Sequence, residues 1–130
     1  PTIAVTQSKQ SILLVEDNLT NQRVAQLLLQ KRGYQVHVAG NGAVALDMLA
    51  EHGYDLILMD CQMPVLDGFE ATRRLRQSEG RNARIPIIAM TANVMEGDRE
   101  RCLDAGMDDY LSKPIDQGQL FPMLARYLAS

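Results

Sequence analysis

Five short apolar segments alternate along this chain with five segments of helical periodicity, and this alternation constrains the fold more than any other feature. The apolar segments, which the pattern predicts as β-strands, are 12–15, 34–39, 55–59, 85–90 and 108–112. The predicted helices are 19–32, 42–52, 67–77, 93–105 and 116–128. Strands that alternate with helices form a parallel sheet that is covered on both faces. We therefore expect an α/β, flavodoxin-like fold: a doubly wound, five-stranded parallel sheet in the order 2-1-3-4-5, with five helices.

Length and charge narrow the class of protein. The chain has 130 residues, which fits a single domain, and its formal net charge of −3 argues against binding to nucleic acid. No apolar run reaches the length of a membrane span, so we expect no membrane contact by this domain and a cytoplasmic location, even where a longer parent protein is anchored in the inner membrane. With only two cysteines, Cys61 and Cys102, the sequence indicates neither a disulfide framework nor a zinc site. The polar residues 1–10 are predicted to be a linker or tail, and 11–130 the domain.

Polar side chains stand at the carboxyl ends of four predicted strands, where doubly wound sheets bind their ligands. Glu16 and Asp17 follow strand one, Asp60 follows strand three, Thr91 ends strand four and Lys113 follows strand five. In the predicted order these four strands are neighbours, so we expect the side chains to converge on one edge of the sheet. Crowded carboxylates repel one another, and Mg²⁺ relieves this repulsion because it prefers oxygen ligands. The sequence therefore predicts a magnesium site.

The same residues suit the acceptance of a phosphoryl group. Asp60 follows the most apolar strand, and a carboxylate in such a position can act as a nucleophile and form an aspartyl phosphate. Lys113 and Thr91 can each donate a hydrogen bond to a phosphoryl oxygen. Taken singly, Asp60 and Thr91 could simply cap turns or helices, and Lys113 could be a solvated lysine. The complete set in register favours the phosphoacceptor site.

Four separately spaced motifs resemble those of the response-regulator receiver family: ILLVEDN at 12–18, LMDCQMP at 58–64, AMTA at 89–92 and LSKP at 111–114. The resemblance extends from residue 11 to residue 128. It implies that Asp60 is the phosphoacceptor and that Thr91 and Lys113 contact the phosphoryl group. It also implies that Mg²⁺ is held by Glu16, Asp17, Asp60 and the backbone carbonyl of Gln62, and that Lys113–Pro114 is a cis peptide.

Two further segments, NQ at 21–22 and AGMDDY at 105–110, are similar to receivers attached to hybrid sensor histidine kinases. The implied partner is a histidine kinase or a histidine phosphotransfer domain, whose histidine exchanges the phosphoryl group with Asp60. The resemblance also implies a switch, in which Thr91 is drawn towards the phosphoryl group and Tyr110 rotates inward to fill the space.

The first predicted helix carries two apolar stripes. Val24, Leu27, Leu28 and Lys31 share the face that is predicted to cover the core, and Ala25 and Leu29 form a second apolar stripe beside it. By resemblance to the family, this second stripe is predicted to dock the histidine-bearing partner. The alternative is that Ala25 and Leu29 are buried against the sheet.

Two other functions remain open from the residues alone. The segment GNGAVA at 40–45 fits a dinucleotide-binding fingerprint, and Asp60 lies about twenty residues further on. A magnesium-dependent phosphatase with an aspartate nucleophile would use the same acids, but such enzymes usually carry a second acid where this chain has Gln62. A receiver that serves only for docking is disfavoured because the full set of acids, Thr91 and Lys113 is present.

Overall fold

A computed structural model of the protein describes residues 10–61, 66–78, 80, 82–91, 96–113 and 115–128. The strands are β1 (Ser11–Val15), β2 (Gln35–Ala39), β3 (Leu56–Asp60), β4 (Ile87–Thr91) and β5 (Asp109–Ser112). The helices are α1 (Leu19–Lys31), α2 (Gly42–Glu51), α3 (Gly68–Gln77), α4 (Glu96–Ala105) and α5 (Gln117–Leu128). Every predicted strand and helix is present, with bounds that differ by a few residues.

The strands form one parallel sheet in the order β2-β1-β3-β4-β5, which confirms the predicted fold and topology. Apolar side chains fill a layer on each face. On one face, α1 and α5 cover the sheet, and on the other face α2, α3 and α4 do so. The central strands β3 and β4 are buried along their whole length, because helices cover them on both sides.

Local signals in the sequence set the ends of several helices. The side chains of Asn18, Asn41 and Asp67 accept hydrogen bonds from the first turns of α1, α2 and α3. Gly33 and Gly106 follow α1 and α4 with φ angles of 89° and 109°, a left-handed conformation that favours glycine. Among the described residues, no helix is long and apolar enough to cross a membrane.

The predicted orientation of α1 is wrong for Val24 and Leu27, whereas Leu28 is partly buried and packs against the core. Ala25 and Leu29 are 2% and 0% exposed and pack in the core, whereas Val24 and Leu27 are 48% and 61% exposed. The two stripes are neighbours on the helix and both are apolar, so periodicity did not distinguish them. Ala25 and Leu29 therefore have no surface to offer a partner, and their predicted docking role is wrong for the same reason.

Candidate functional site

Three carboxylates meet where β1 and β3 end. Glu16, Asp17 and Asp60 each offer one oxygen, and these three oxygens lie within 4.8 Å of one another. The arrangement follows from the sheet: β1 and β3 are paired, with Val15 opposite Met59, so the residues that follow the two strands come together. Glu16 and Asp60 are buried and Asp17 is exposed. Such a set of hard oxygen donors, open to solvent on one side, fits the requirements of Mg²⁺.

An ammonium group completes this cluster. Lys113 Nζ lies 2.9 Å from Asp60 Oδ2 and 3.1 Å from Glu16 Oε1. The lysine is held there because its backbone N–H donates to the carbonyl of Thr91, at 2.8 Å, and so extends the pairing of β5 with β4. Burial by itself lowers the pKa of Lys113, but the hydrogen bonds and charges of Asp60 and Glu16 outweigh it and raise the pKa above its ordinary value. The side chain is therefore a permanent cation at physiological pH.

The turn after β1 fixes the position of Glu16. Its Oε2 accepts a hydrogen bond from the backbone N–H of Asn18 at 3.1 Å, and its backbone carbonyl accepts one from Gln22 Nε2 at 2.6 Å. Its own N–H donates to the carbonyl of Ala39 at 3.0 Å. Sequence reasoning did not find the roles of Asn18 and Gln22 in holding Glu16, because local hydrogen bonds between a side chain and the backbone leave no periodic signal.

The backbone around Asp60 is fixed from two sides. The N–H of Cys61 donates to the carbonyl of Met90, and the carbonyl of Cys61 accepts from the N–H of Gly68, both at 3.1 Å. A Cβ atom at Gly68 would collide with the backbone oxygen of Asp60. The first turn of α3 therefore lies directly against the end of β3, an approach that only glycine permits.

Thr91 and Tyr110 lie on the two strands beyond β3. Thr91 is 5% exposed and lies one position beyond Met90, the residue that pairs with Asp60. Tyr110 is half-buried and packs against the core on the side of α2, α3 and α4. Two other predicted site residues, Gln62 and Pro114, lie outside the described residues.

The glycine-rich segment at 40–45 has a structural use. The N–H of Gly42 donates to the carbonyl of Leu66 at 3.2 Å, and a Cβ atom at Gly42 would collide with that same oxygen. In a dinucleotide-binding fingerprint the pyrophosphate lies against the glycine backbone. Here the backbone carbonyl of Leu66 lies against Gly42 instead. The segment also follows β2 at the edge of the sheet, and β1 separates it from β3, where Asp60 lies.

Comparison with known proteins gives a consistent family. The family model of the response regulator receiver domain matches residues 12–125. Hybrid signal transduction histidine kinase I of Dictyostelium discoideum is 45% identical over 121 residues, which is 88% of this chain. The chain spans only 7% of the length of that relative.

Solved structures agree with this result. The receiver domain of a sensor histidine kinase from Pseudomonas aeruginosa, with magnesium coordinated in its active site cleft, is 49% identical, with a TM-score of 0.86 over 94% of this chain and 99% of that one. A receiver domain from Saccharomyces cerevisiae, co-crystallised with a histidine phosphotransfer signalling protein, is 32% identical, with a TM-score of 0.84 over 92% of this chain and 88% of that one. The chain therefore belongs to the response regulator receiver domain family of two-component signalling proteins, in which hybrid histidine kinases are among its relatives.

Proposed function

We propose that Asp60 accepts a phosphoryl group from a phosphohistidine, with Mg²⁺ as cofactor, and that residues 11–130 are a receiver domain of a hybrid sensor histidine kinase. The observation that carries this proposal is the contact of Lys113 Nζ with Asp60 Oδ2, at 2.9 Å, within a cluster of three carboxylates. A single buried carboxylate with a structural role is neutralised by one cationic partner. Here three carboxylates surround one ammonium group, and this excess of negative charge favours a site that binds a divalent metal ion.

In the proposed reaction, a carboxylate oxygen of Asp60 forms a bond to phosphorus while the phosphorus–nitrogen bond to the donor imidazole breaks. Glu16, Asp17 and Asp60 would hold Mg²⁺, with the backbone carbonyl of Gln62 as a further ligand. Bound Mg²⁺ supplies positive charge that neutralises the carboxylates and the transferring group. Lys113 donates a hydrogen bond to a phosphoryl oxygen.

The proposed switch uses Thr91 and Tyr110. A phosphoryl group on Asp60 adds negative charge and acceptor oxygens, towards which the Thr91 hydroxyl moves as a donor. Tyr110, which is half-buried, then rotates inward. The rearrangement would be read out at α4, which follows Thr91, and at β5, which contains Tyr110.

The assignment of Asp60 is tested by labelling with acetyl phosphate in the presence of Mg²⁺. We expect the intact mass of the wild-type chain to rise by one phosphoryl group, and the Asp60→Asn variant to show no rise. Asp47→Asn is the matched control, because Asp47 is an exposed carboxylate on α2, outside the acidic cluster. Equal labelling of all three proteins would place the phosphoryl group elsewhere, and labelling that persists in excess chelator would argue against the metal.

We further propose that the phosphohistidine partner docks on the exposed stripe of α1, at Val24 and Leu27, in place of the buried Ala25 and Leu29. Val24 is 48% exposed, and with Glu16 and Lys113 it lines a cavity of about 80 Å³. A helical partner seated there would lie beside the site. The co-crystal structure of the yeast receiver with a histidine phosphotransfer protein supports such a pairing.

The docking surface is tested with a charge in the apolar stripe. Val24→Asp should lower the rate of labelling by a phosphorylated histidine phosphotransfer domain, relative to the rate with acetyl phosphate, by about tenfold, or roughly 1.4 kcal/mol. Leu103→Asp is the matched control, since Leu103 is also 48% exposed but lies on α4, across the sheet. If both variants lower this ratio equally, α1 is not the docking surface.

A further inference from the structure

Two thiols are in contact beside the candidate site. Cys61 directly follows Asp60, Cys102 lies on α4, and their sulfur atoms are 3.8 Å apart. Both side chains are buried, at 2% and 1% exposed. The residues are 41 positions apart in sequence, so only the fold brings them together. Nothing in the proposed phosphoryl transfer uses either thiol.

We propose that Cys61 and Cys102 form a redox modification site, which a small hydroperoxide converts to an intramolecular disulfide. The sulfur atoms, now 3.8 Å apart, must approach by roughly 1.8 Å to reach the bond length of a disulfide. Rotation of a cysteine side chain about its Cα–Cβ bond moves the sulfur atom over a distance of this order. Both cysteines belong to the same buried apolar cluster as Phe69, Ala89 and Met107. This burial excludes bulky oxidants and favours one the size of hydrogen peroxide.

The chemistry balances with the peroxide as the oxidant. One sulfur attacks a peroxide oxygen, the oxygen–oxygen bond breaks, and water leaves with the thiol proton, so that this cysteine becomes a sulfenic acid. The second sulfur then attacks the first, the sulfur–oxygen bond breaks, and a second water leaves. Two thiols thus lose two electrons and two protons, and the peroxide is reduced to water. A cellular dithiol reverses the bond by exchange, as is usual for redox-sensing disulfides in reducing compartments.

The position of the pair connects this modification to the site. Cys61 directly follows Asp60, and its backbone is held in place because its N–H donates to the carbonyl of Met90 and its carbonyl accepts from the N–H of Gly68. A disulfide would tie this backbone to α4. On the proposed function, on which this step rests, α4 moves when Asp60 is phosphorylated, so the crosslink restrains the change and slows phosphoryl transfer.

The disulfide itself is tested by treating the folded chain with hydrogen peroxide. We expect a monomer whose mass is lower by two hydrogen atoms, with a peptide that joins Cys61 to Cys102 and that dithiothreitol releases. After denaturation, neither cysteine of the oxidised chain should react with iodoacetamide. Addition of oxygen to single cysteines, a crosslinked dimer, or two thiols that remain reactive would each overturn the proposal.

The effect on phosphoryl transfer is tested on the same molecule before and after reduction. Labelling by acetyl phosphate should be several-fold slower in the oxidised chain and recover with dithiothreitol, whereas Cys102→Ala should label equally with and without peroxide. Equal rates in the oxidised and reduced wild type would overturn the coupling. If the reduced chain is not labelled at all, the proposed function fails, while the mass measurement still decides whether the disulfide forms.

Discussion

Gly68 shows how a single residue controls the geometry of the site. It begins α3, its N–H donates to the carbonyl of Cys61, and its α-carbon lies where any larger side chain would collide with the backbone of Asp60. The collision is with backbone, which cannot rotate away as a flexible side chain can. A substitution here must therefore displace either the helix or the end of β3.

The variant Gly68→Ala should lower the free energy of unfolding by about 1–3 kcal/mol, as overpacking does, and should also slow the labelling of Asp60. Urea denaturation measures the first effect and acetyl phosphate labelling the second. Gly40→Ala is the control, since a Cβ at Gly40 meets no atom within 4 Å. Its effect on stability should stay within about 0.5 kcal/mol. Equal effects of the two variants would contradict the steric explanation.

At the scale of elements, Arg76 joins α3 to the segments that lead into β4 and β5. Its Nη1 donates to the carbonyls of Ala83 and Ile85 at 3.0 and 2.7 Å, and its Nε donates to the carbonyl of Gly106 at 2.8 Å. Nη2 lies 2.9 Å from Asp108 Oδ2. One guanidinium thus satisfies backbone acceptors from two loops, which its planar fork of donors makes possible.

Replacing Arg76 by methionine should lower the free energy of unfolding by about 2–3 kcal/mol, because three carbonyls lose their donor while the aliphatic packing is largely kept. Chemical denaturation checks this value. Arg74→Met provides the comparison. Arg74 forms an ion pair with Glu70 at 3.3 Å, but the two side chains are 58% and 43% exposed, so its loss should cost no more than about 0.5 kcal/mol. Equal costs for the two arginines would show that the loop contacts contribute little.

At the scale of the whole molecule, the ionisation of Tyr127 makes the free energy of unfolding depend on pH in the alkaline range. The hydroxyl of Tyr127, on α5, lies 3.0 Å from Asp109 Oδ2 and 3.2 Å from the carbonyl of Asp108. Burial, followed by the hydrogen bond to Asp109, raises the pKa of Tyr127 above its ordinary value of 10.0. The unfolded chain therefore loses this proton at a lower pH than the folded chain does.

The contribution of Tyr127 to stability should be fully present below pH 10.0, the ordinary pKa, and should be lost as the pH rises through the raised pKa of the folded state. We expect the stability difference between the wild type and Tyr127→Phe to be constant from neutral pH to about pH 9 and to decrease above it. Urea midpoints measured across this range test the prediction. A difference that grows with pH would mean that the pKa shift has the opposite sign.

The sequence by itself determined the fold and most of the site. Short apolar runs and helical periodicity defined the elements, and the handedness of βαβ units left one natural strand order. Because parallel strands end at the same edge, that order was sufficient to bring Glu16, Asp17 and Asp60 together with Lys113. These features depend on local pattern and topology, which a sequence records directly.

Only the tertiary structure decided how each helix is rotated against the sheet. Two adjacent stripes of α1 are apolar, and close packing of Ala25 and Leu29 turned Val24 and Leu27 outward, against the prediction. The rotation of α4 against the sheet likewise places the sulfur atom of Cys102 3.8 Å from that of Cys61. Helix rotation follows from the fit of side chains across the interface, and residues far apart in sequence supply that fit. Local periodicity therefore predicts which side of a helix is apolar. It does not predict which residues of the sheet that side contacts.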